Sequence, residues 1–261
     1  MSALRIEREA AVLRITIARP ERRNAFDASL IRELAEAFAD VGDARVVVLA
    51  GEGPSFCAGA DVEWQRASID LSYDENVEDA LRLYEMLAAI DTCPAPVVAR
   101  VQGFALGGGS GVVACTDVAV AGEDAVFGFT EVRLGIIPAV ISPFVLDRIG
   151  GPAARRYFLT GERFGADAAL RIGLVHEVAT DLGASVERVI GDLLRVGPEA
   201  ARAAKQLVRG RPGGEEAARI AARLRTSPEG QEGLRAFLEK RPAVLPDGER
   251  WGVFAEEWDG A

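Results

Sequence analysis

Histidine occurs once in the 261 residues, as His176, and that scarcity excludes a good deal of chemistry. A His-rich metal centre is ruled out. A Ser-His-Asp or Cys-His device would have one candidate base, in the stretch RIGLVHEV, without the partners such devices need. Cysteine is nearly as sparse: Cys57, Cys93 and Cys115 are too widely spaced for a disulfide framework or a zinc site. No stretch approaches the ~20 uninterrupted apolar residues that a membrane span requires, and the opening MSALRIEREA lacks the apolar core of a signal peptide. Basic residues are outnumbered, 30 against 40 acidic, for a net charge of −10. That balance repels phosphate backbones and anionic lipid, so neither nucleic acid nor membrane is an expected partner. The expectation is a soluble, cytoplasmic protein.

Apolar content, by contrast, is ample. At 49% hydrophobic residues the chain can bury a sizeable core in one large domain, with or without a helical extension. LRIERE and VLRITIA read as paired strands, and Leu30, Ile31, Leu34, Phe38 and Val41 then recur at helical spacing. ARVVVLAG is a short, continuously apolar run of the kind buried in parallel sheets. A second helical stripe, Val77, Leu81, Tyr84 and Ala88, is ended by the prolines of CPAP. VVARV and DVAVA are further strands, so the first two-thirds of the chain predict an α/β fold with parallel pairing. RIGLVHEV ends in a short strand; otherwise, after about Gly150 the pattern is of amphipathic helices, whose apolar faces suit docking on another subunit.

Two loops stand out, each following a buried strand and each leading into a helix: GEGPSFCAGADVEW and GFALGGGSG. Such loops leave backbone N–H groups free to face negative charge. The glycines of the second loop do not fit a P-loop, because Ser110 is followed by Gly111 and Val112 and no Lys is present. A dinucleotide fingerprint and a nucleophile elbow both fail at Val112, where a final glycine is required. Taken alone, the loop is equally compatible with tight packing of helix on sheet.

SFCAGADVEW, VQGFALGGGSGVVACTDVAVA, AVFGFTEVRLGIIPA and EGLRAFLEKR, taken together and in order, strongly resemble the enoyl-CoA hydratase/isomerase family, the crotonases. The resemblance runs from RPERRNAF to the C-terminal helix. It implies a crotonase-like α/β spiral of ββα units over residues 1–195, followed by a helical trimerisation region over 196–261. It implies an acyl-CoA thioester as substrate, a homotrimer or dimer of trimers, and neither metal nor redox cofactor, with CoA arriving as part of the substrate. The family's oxyanion hole maps onto the backbone N–H groups of Ala60 and Gly108. Two fixed donors of that kind stabilise the charge that develops on a polarised thioester oxygen. CoA contacts map onto Arg22, Arg23 and Ala25, onto Ala58, Gly59, Asp61 and Val62, and onto Lys240 and Arg241 at a basic helix tip.

Typical hydratases of the family hold water between two glutamates. The second maps onto Glu131, beside Thr130; the first falls on Gly111, which has no side chain. One acid/base is therefore implied, serving hydration of an enoyl-CoA or dehydration of a 3-hydroxyacyl-CoA, or alternatively Δ3,Δ2-isomerisation. A catalytically inactive acyl-CoA-binding protein, thioester hydrolysis and decarboxylation remain alternatives at this stage. Glycine at 111 together with TEVRLGIIPAVISPFVL is most similar to bacterial methylglutaconyl-CoA hydratase-like members. Side-chain volume alone suggests that Gly111 makes room for a branched acyl group.

Overall fold

The computed structural model describes residues 2–246 and 248–252. β1 (Leu4–Glu9) and β2 (Val12–Ile17) form an antiparallel hairpin. β3 (Val46–Gly51), β4 (Val97–Val101), β6 (Val118–Gly122) and β9 (Glu177–Ala179) extend it in parallel, giving the order β1-β2-β3-β4-β6-β9. A smaller sheet sets β5 (Phe104–Leu106) parallel to β7 (Val126–Gly128), which pairs antiparallel with β8 (Arg163–Gly165).

The continuous apolar run of β3 follows from burial on both faces. Val47 and Leu49 pack with α1 (Ala28–Ala39) and α3 (Tyr73–Thr92) in the larger core. Val46 and Val48 face α7 (Leu182–Leu194) through Val186 and Ile190. α1 starts where Asp27 accepts a hydrogen bond from the Leu30 N–H at 2.9 Å, and Leu30, Ile31, Leu34 and Phe38 are buried as their spacing predicts. α3 opens on a reciprocal capping box between Ser72 and Glu75.

The stripe Val77, Leu81, Tyr84 falls within α3, as its helical spacing predicts, and lies on an exposed face, at 40%, 53% and 42% accessibility, whereas Met86, Leu87 and Ile90 are fully buried. α3 carries apolar residues on two faces, and periodicity reports a face without saying whether this chain covers it. The expectation for the region after Gly150 needs correction: it is not helical apart from one strand. Between α5 (Ser142–Thr160) and α6 (Ala166–Arg171) runs β8, too short at three residues to show an alternating pattern.

α2 (Val62–Ser68) and α4 (Gly108–Cys115) are short and begin at the two loops. After α7 come α8 (Pro198–Gly210), α9 (Gly214–Thr226) and α10 (Pro228–Leu238). The buried Arg45 guanidinium ties this tail to the sheet, donating to Leu194 O at 2.6 Å and Val196 O at 2.9 Å. Among the described residues no helix is long and apolar enough to cross a membrane.

Candidate active site

The two loops picked out in the sequence are stitched together backbone to backbone. The Cys57 N–H donates to Phe104 O at 2.9 Å, and the Leu106 N–H to Cys57 O at 3.0 Å. Phe26 pins the first loop from the other side, donating to Gly59 O at 2.7 Å and accepting from the Asp61 N–H at 2.8 Å. This bridge uses the polar groups on either side of Ala60 and leaves the Ala60 N–H unengaged. Gly108 opens α4, so its N–H has no acceptor within the helix. Both residues line one cavity of about 460 Å³. Such close approach requires glycine: a Cβ on Gly109 would lie 2.3 Å from Cys57 O. Gly59 adopts φ +96°, and a Cβ there would meet Leu106 O at 2.8 Å.

Glu131 enters the same cavity from the first position of a 3₁₀ turn, Glu131–Leu134, which ends in Gly135 at φ 77°. Its Oε1 lies 3.2 Å from the point a Cβ on Gly107, the residue before Gly108, would occupy. Its Oε2 is buried and has no hydrogen-bond partner. Phe26, Trp64, Leu134, Ile136, Ile137 and Ile141 make much of the wall apolar. Burial raises the Glu131 pKa above the ordinary carboxylate value, against a smaller lowering by its own backbone N–H.

A raised pKa means that folding favours the protonated form. The contribution of Glu131 to stability is therefore greatest below the ordinary value of 4.5 and is lost as pH rises through the elevated one. Glu131→Gln is expected to melt above the native chain at about pH 8, with the difference shrinking toward about pH 4. Calorimetric melting at both pH values checks this, and a pH-independent difference would contradict it.

Gly111 does not line the cavity. It is buried, and the space a side chain would take is filled by Ile141, whose Cγ2 and Cβ stand 2.5 and 2.8 Å from the ideal Cβ position. The room for a branched acyl group expected at 111 is thus absent there; Ile141 has taken it and itself faces the cavity. Gly111→Glu is expected to cost about 3 kcal/mol by overpacking. Adding Ile141→Ala is expected to restore at least about 1 kcal/mol through the coupling of touching residues. Denaturant unfolding of the single and double variants measures both effects.

The mapped CoA residues fall into three groups. Ala58, Gly59 and Thr130 line the cavity with Ala60, Gly108 and Glu131. Arg22 and Asp61 bind each other at 3.0 Å, and Asp61 also caps α2 by accepting from the Glu63 N–H at 2.9 Å. Burial alone would raise the Asp61 pKa, but Arg22 and the Glu63 and Trp64 N–H groups hold it below the ordinary carboxylate range. Arg23, Ala25 and Val62 flank the first loop outside the cavity lining; Ala25 is buried, whereas Arg23 and Val62 are exposed. Lys240 and Arg241 are also outside the lining, and the Arg241 guanidinium is occupied by Glu232 and Glu239, both at 2.6 Å.

His176 and the cysteines lie apart from this chemistry. The Ala119 N–H donates to His176 Nδ1 at 3.0 Å, while burial and the nearby Arg148 lower the ring's pKa. Burial pushes the Cys57 thiol up to about 12, so it is inert as a nucleophile. No group of three or more His, Cys, Asp or Glu among the described residues is arranged to hold a metal ion.

Sequence reasoning missed Ile141 and Arg163, both of which line the cavity. A glycine inside α4 with no turn to make was a usable sign that something bulky packs against it. Arg163 had no comparable sign, because it sits in the three-residue β8.

The sequence profile of the enoyl-CoA hydratase/isomerase family matches residues 7–248. Enoyl-CoA hydratase AKT6-1 of Alternaria alternata is 34% identical over 207 residues, covering 77% of this chain and 67% of the relative. Pseudomonas aeruginosa AtuE superposes with a TM-score of 0.88 at 38% identity, covering 92% of this chain and 97% of its own. An enoyl-CoA hydratase from Shewanella pealeana gives a TM-score of 0.87 at 37% identity, covering 92% and 94%. With fold, loops and profile in agreement over nearly its whole length, the chain belongs to the enoyl-CoA hydratase/isomerase family.

Proposed function

We propose that the chain is an acyl-CoA lyase that adds water to an enoyl-CoA or removes it from a 3-hydroxyacyl-CoA, with Glu131 as its single acid/base. The observation that carries this reading is the buried, partnerless Glu131 Oε2 in the cavity that Gly108, with its unengaged N–H, also lines. The Ala60 and Gly108 N–H groups would bind the thioester oxygen. In hydration, Glu131 takes a proton from water as the water oxygen bonds to C3 and the electron pair moves to the thioester oxygen. The enolate held by the two N–H groups then collects that proton at C2. A carboxylate whose pKa is raised by burial holds a proton more readily than an ordinary one, which suits it to both transfers.

The acyl group we propose is branched and of the methylglutaconyl type, and CoA is drawn along the Arg22–Arg23 segment with Lys240. Residues 196–261 would assemble a trimer or a pair of trimers. Val208, Leu234 and Leu238, at 74%, 46% and 79% accessibility, offer apolar surface for it. A second reading, Δ3,Δ2-isomerisation, is favoured by Ile141, an apolar group in the space a second, water-holding carboxylate would need. Incubation with a panel of enoyl-CoA and 3-hydroxyacyl-CoA thioesters in ¹⁸O-labelled water separates them. Label at C3 supports hydration, a moved double bond without label supports isomerisation, and binding with no turnover would defeat both.

A further inference from the structure

We infer that Arg163 is a specificity-determining residue that reads a carboxylate carried on the acyl group, so that the preferred substrates are CoA thioesters of dicarboxylic acids. This rests on the acyl-CoA reading proposed above, whose methylglutaconyl-type acyl group carries such a carboxylate, and adds the residue that binds it. Arg163 pairs opposite Gly128 in the small sheet, and its Cγ and the Thr130 Cγ2 each lie 3.4 Å from the point a Cβ on Gly128 would occupy. Its stem therefore runs beside Thr130, the residue before Glu131. Its guanidinium carbon stands 5.7 Å from the Phe104 ring centroid, as does that of Arg23, a cation–π contact that consumes no N–H hydrogen bond.

Among the residues lining the cavity Arg163 is the sole cation, and its guanidinium makes no hydrogen bond or ion pair with any described residue. Arginines elsewhere in the chain are commonly paired, as Arg19, Arg22, Arg45 and Arg241 are. An exposed, unengaged guanidinium lining the same largely apolar cavity as Glu131 fits a planar anionic group, which it binds by charge-assisted hydrogen bonds. Asp79, on the α3 side of the same cavity, is already paired with Arg82 at 3.7 Å, so that side offers a substrate carboxylate no cation of the lining. The Arg163 end is thus the place for a second carboxylate.

Calorimetric titration with glutaryl-CoA and pentanoyl-CoA, equal in chain length and both unreactive toward hydration, tests the inference without turnover. The native chain is expected to bind glutaryl-CoA about tenfold more tightly. Arg163→Met should bring the ratio near one, and Arg163→Lys should keep most of it. A ratio near one in the native chain, or one unchanged in Arg163→Met, overturns the inference. Equal weakening of both thioesters by Arg163→Met also overturns it, because the guanidinium would then serve the CoA portion. The corresponding pantetheine thioesters, which lack the nucleotide phosphates, identify that source. Failure of the labelled-water experiment alone would remove the proposed reaction and leave the binding ratio standing.

Discussion

Glu131→Gln is expected to lower kcat by about a thousandfold while changing the affinity for an unreactive acyl-CoA only a few-fold. The substitution keeps the size of the side chain and its place over Gly107, so the cavity's shape is retained. What it removes is a group able to take and return a proton, and the described cavity lining has one other carboxylate, Asp79, which lies on the α3 wall. The buried, partnerless Oε2 makes the case stronger than proximity alone, since a carboxylate kept for ion pairing would have a cation beside it. Steady-state kinetics paired with titration of a saturated thioester distinguishes the outcomes. Turnover within tenfold of the native rate would remove Glu131 from the reaction, and equal losses in rate and binding would make it structural.

Gly109→Ala is expected to damage both stability and activity, with a stability loss of about 3 kcal/mol and a fall in kcat of about a hundredfold. Alanine in place of glycine inside a helix ordinarily gains about 1 kcal/mol, so any net loss must come from contact. That contact is with backbone: the new methyl would lie 2.3 Å from Cys57 O and 3.1 Å from Cys57 Cβ. Rotating a side chain cannot relieve it, and the two loops must separate. The loops carry Ala60 and Gly108, so separation moves one N–H donor relative to the other. Loss of a single donor to a developing oxyanion typically costs about 3 kcal/mol of transition-state stabilisation. Denaturant unfolding with parallel kinetics checks the pair of effects. A variant as stable and as active as the native chain would mean that the loop contact does not set the donor geometry.

The sheet and the first helix were legible because their signals are local. Val46 to Leu49 announce burial on both faces, and Leu30, Ile31, Leu34 and Phe38 mark one face of α1. The two loops were legible by their glycines and by their positions after strands. Legibility failed where an element depends on what it meets. The stripe on α3 is real but exposed, and β8 gains its strand character by pairing with β7 and not from three residues of sequence.

At position 111 the division between sequence and structure is clearest. The sequence by itself established that one of the two glutamates expected of a typical hydratase is missing, that Glu131 remains, and that backbone N–H groups are free to act where two glycine-rich turns follow strands. Those facts depend on residue identity and local geometry. Only the tertiary structure decided what the missing side chain left behind. Ile141, thirty positions away in sequence, closes the space at Gly111, and Arg163, from another sheet, joins the cavity as its cation. Close packing allows each volume a single occupant, and which residue that is depends on how distant segments are brought together.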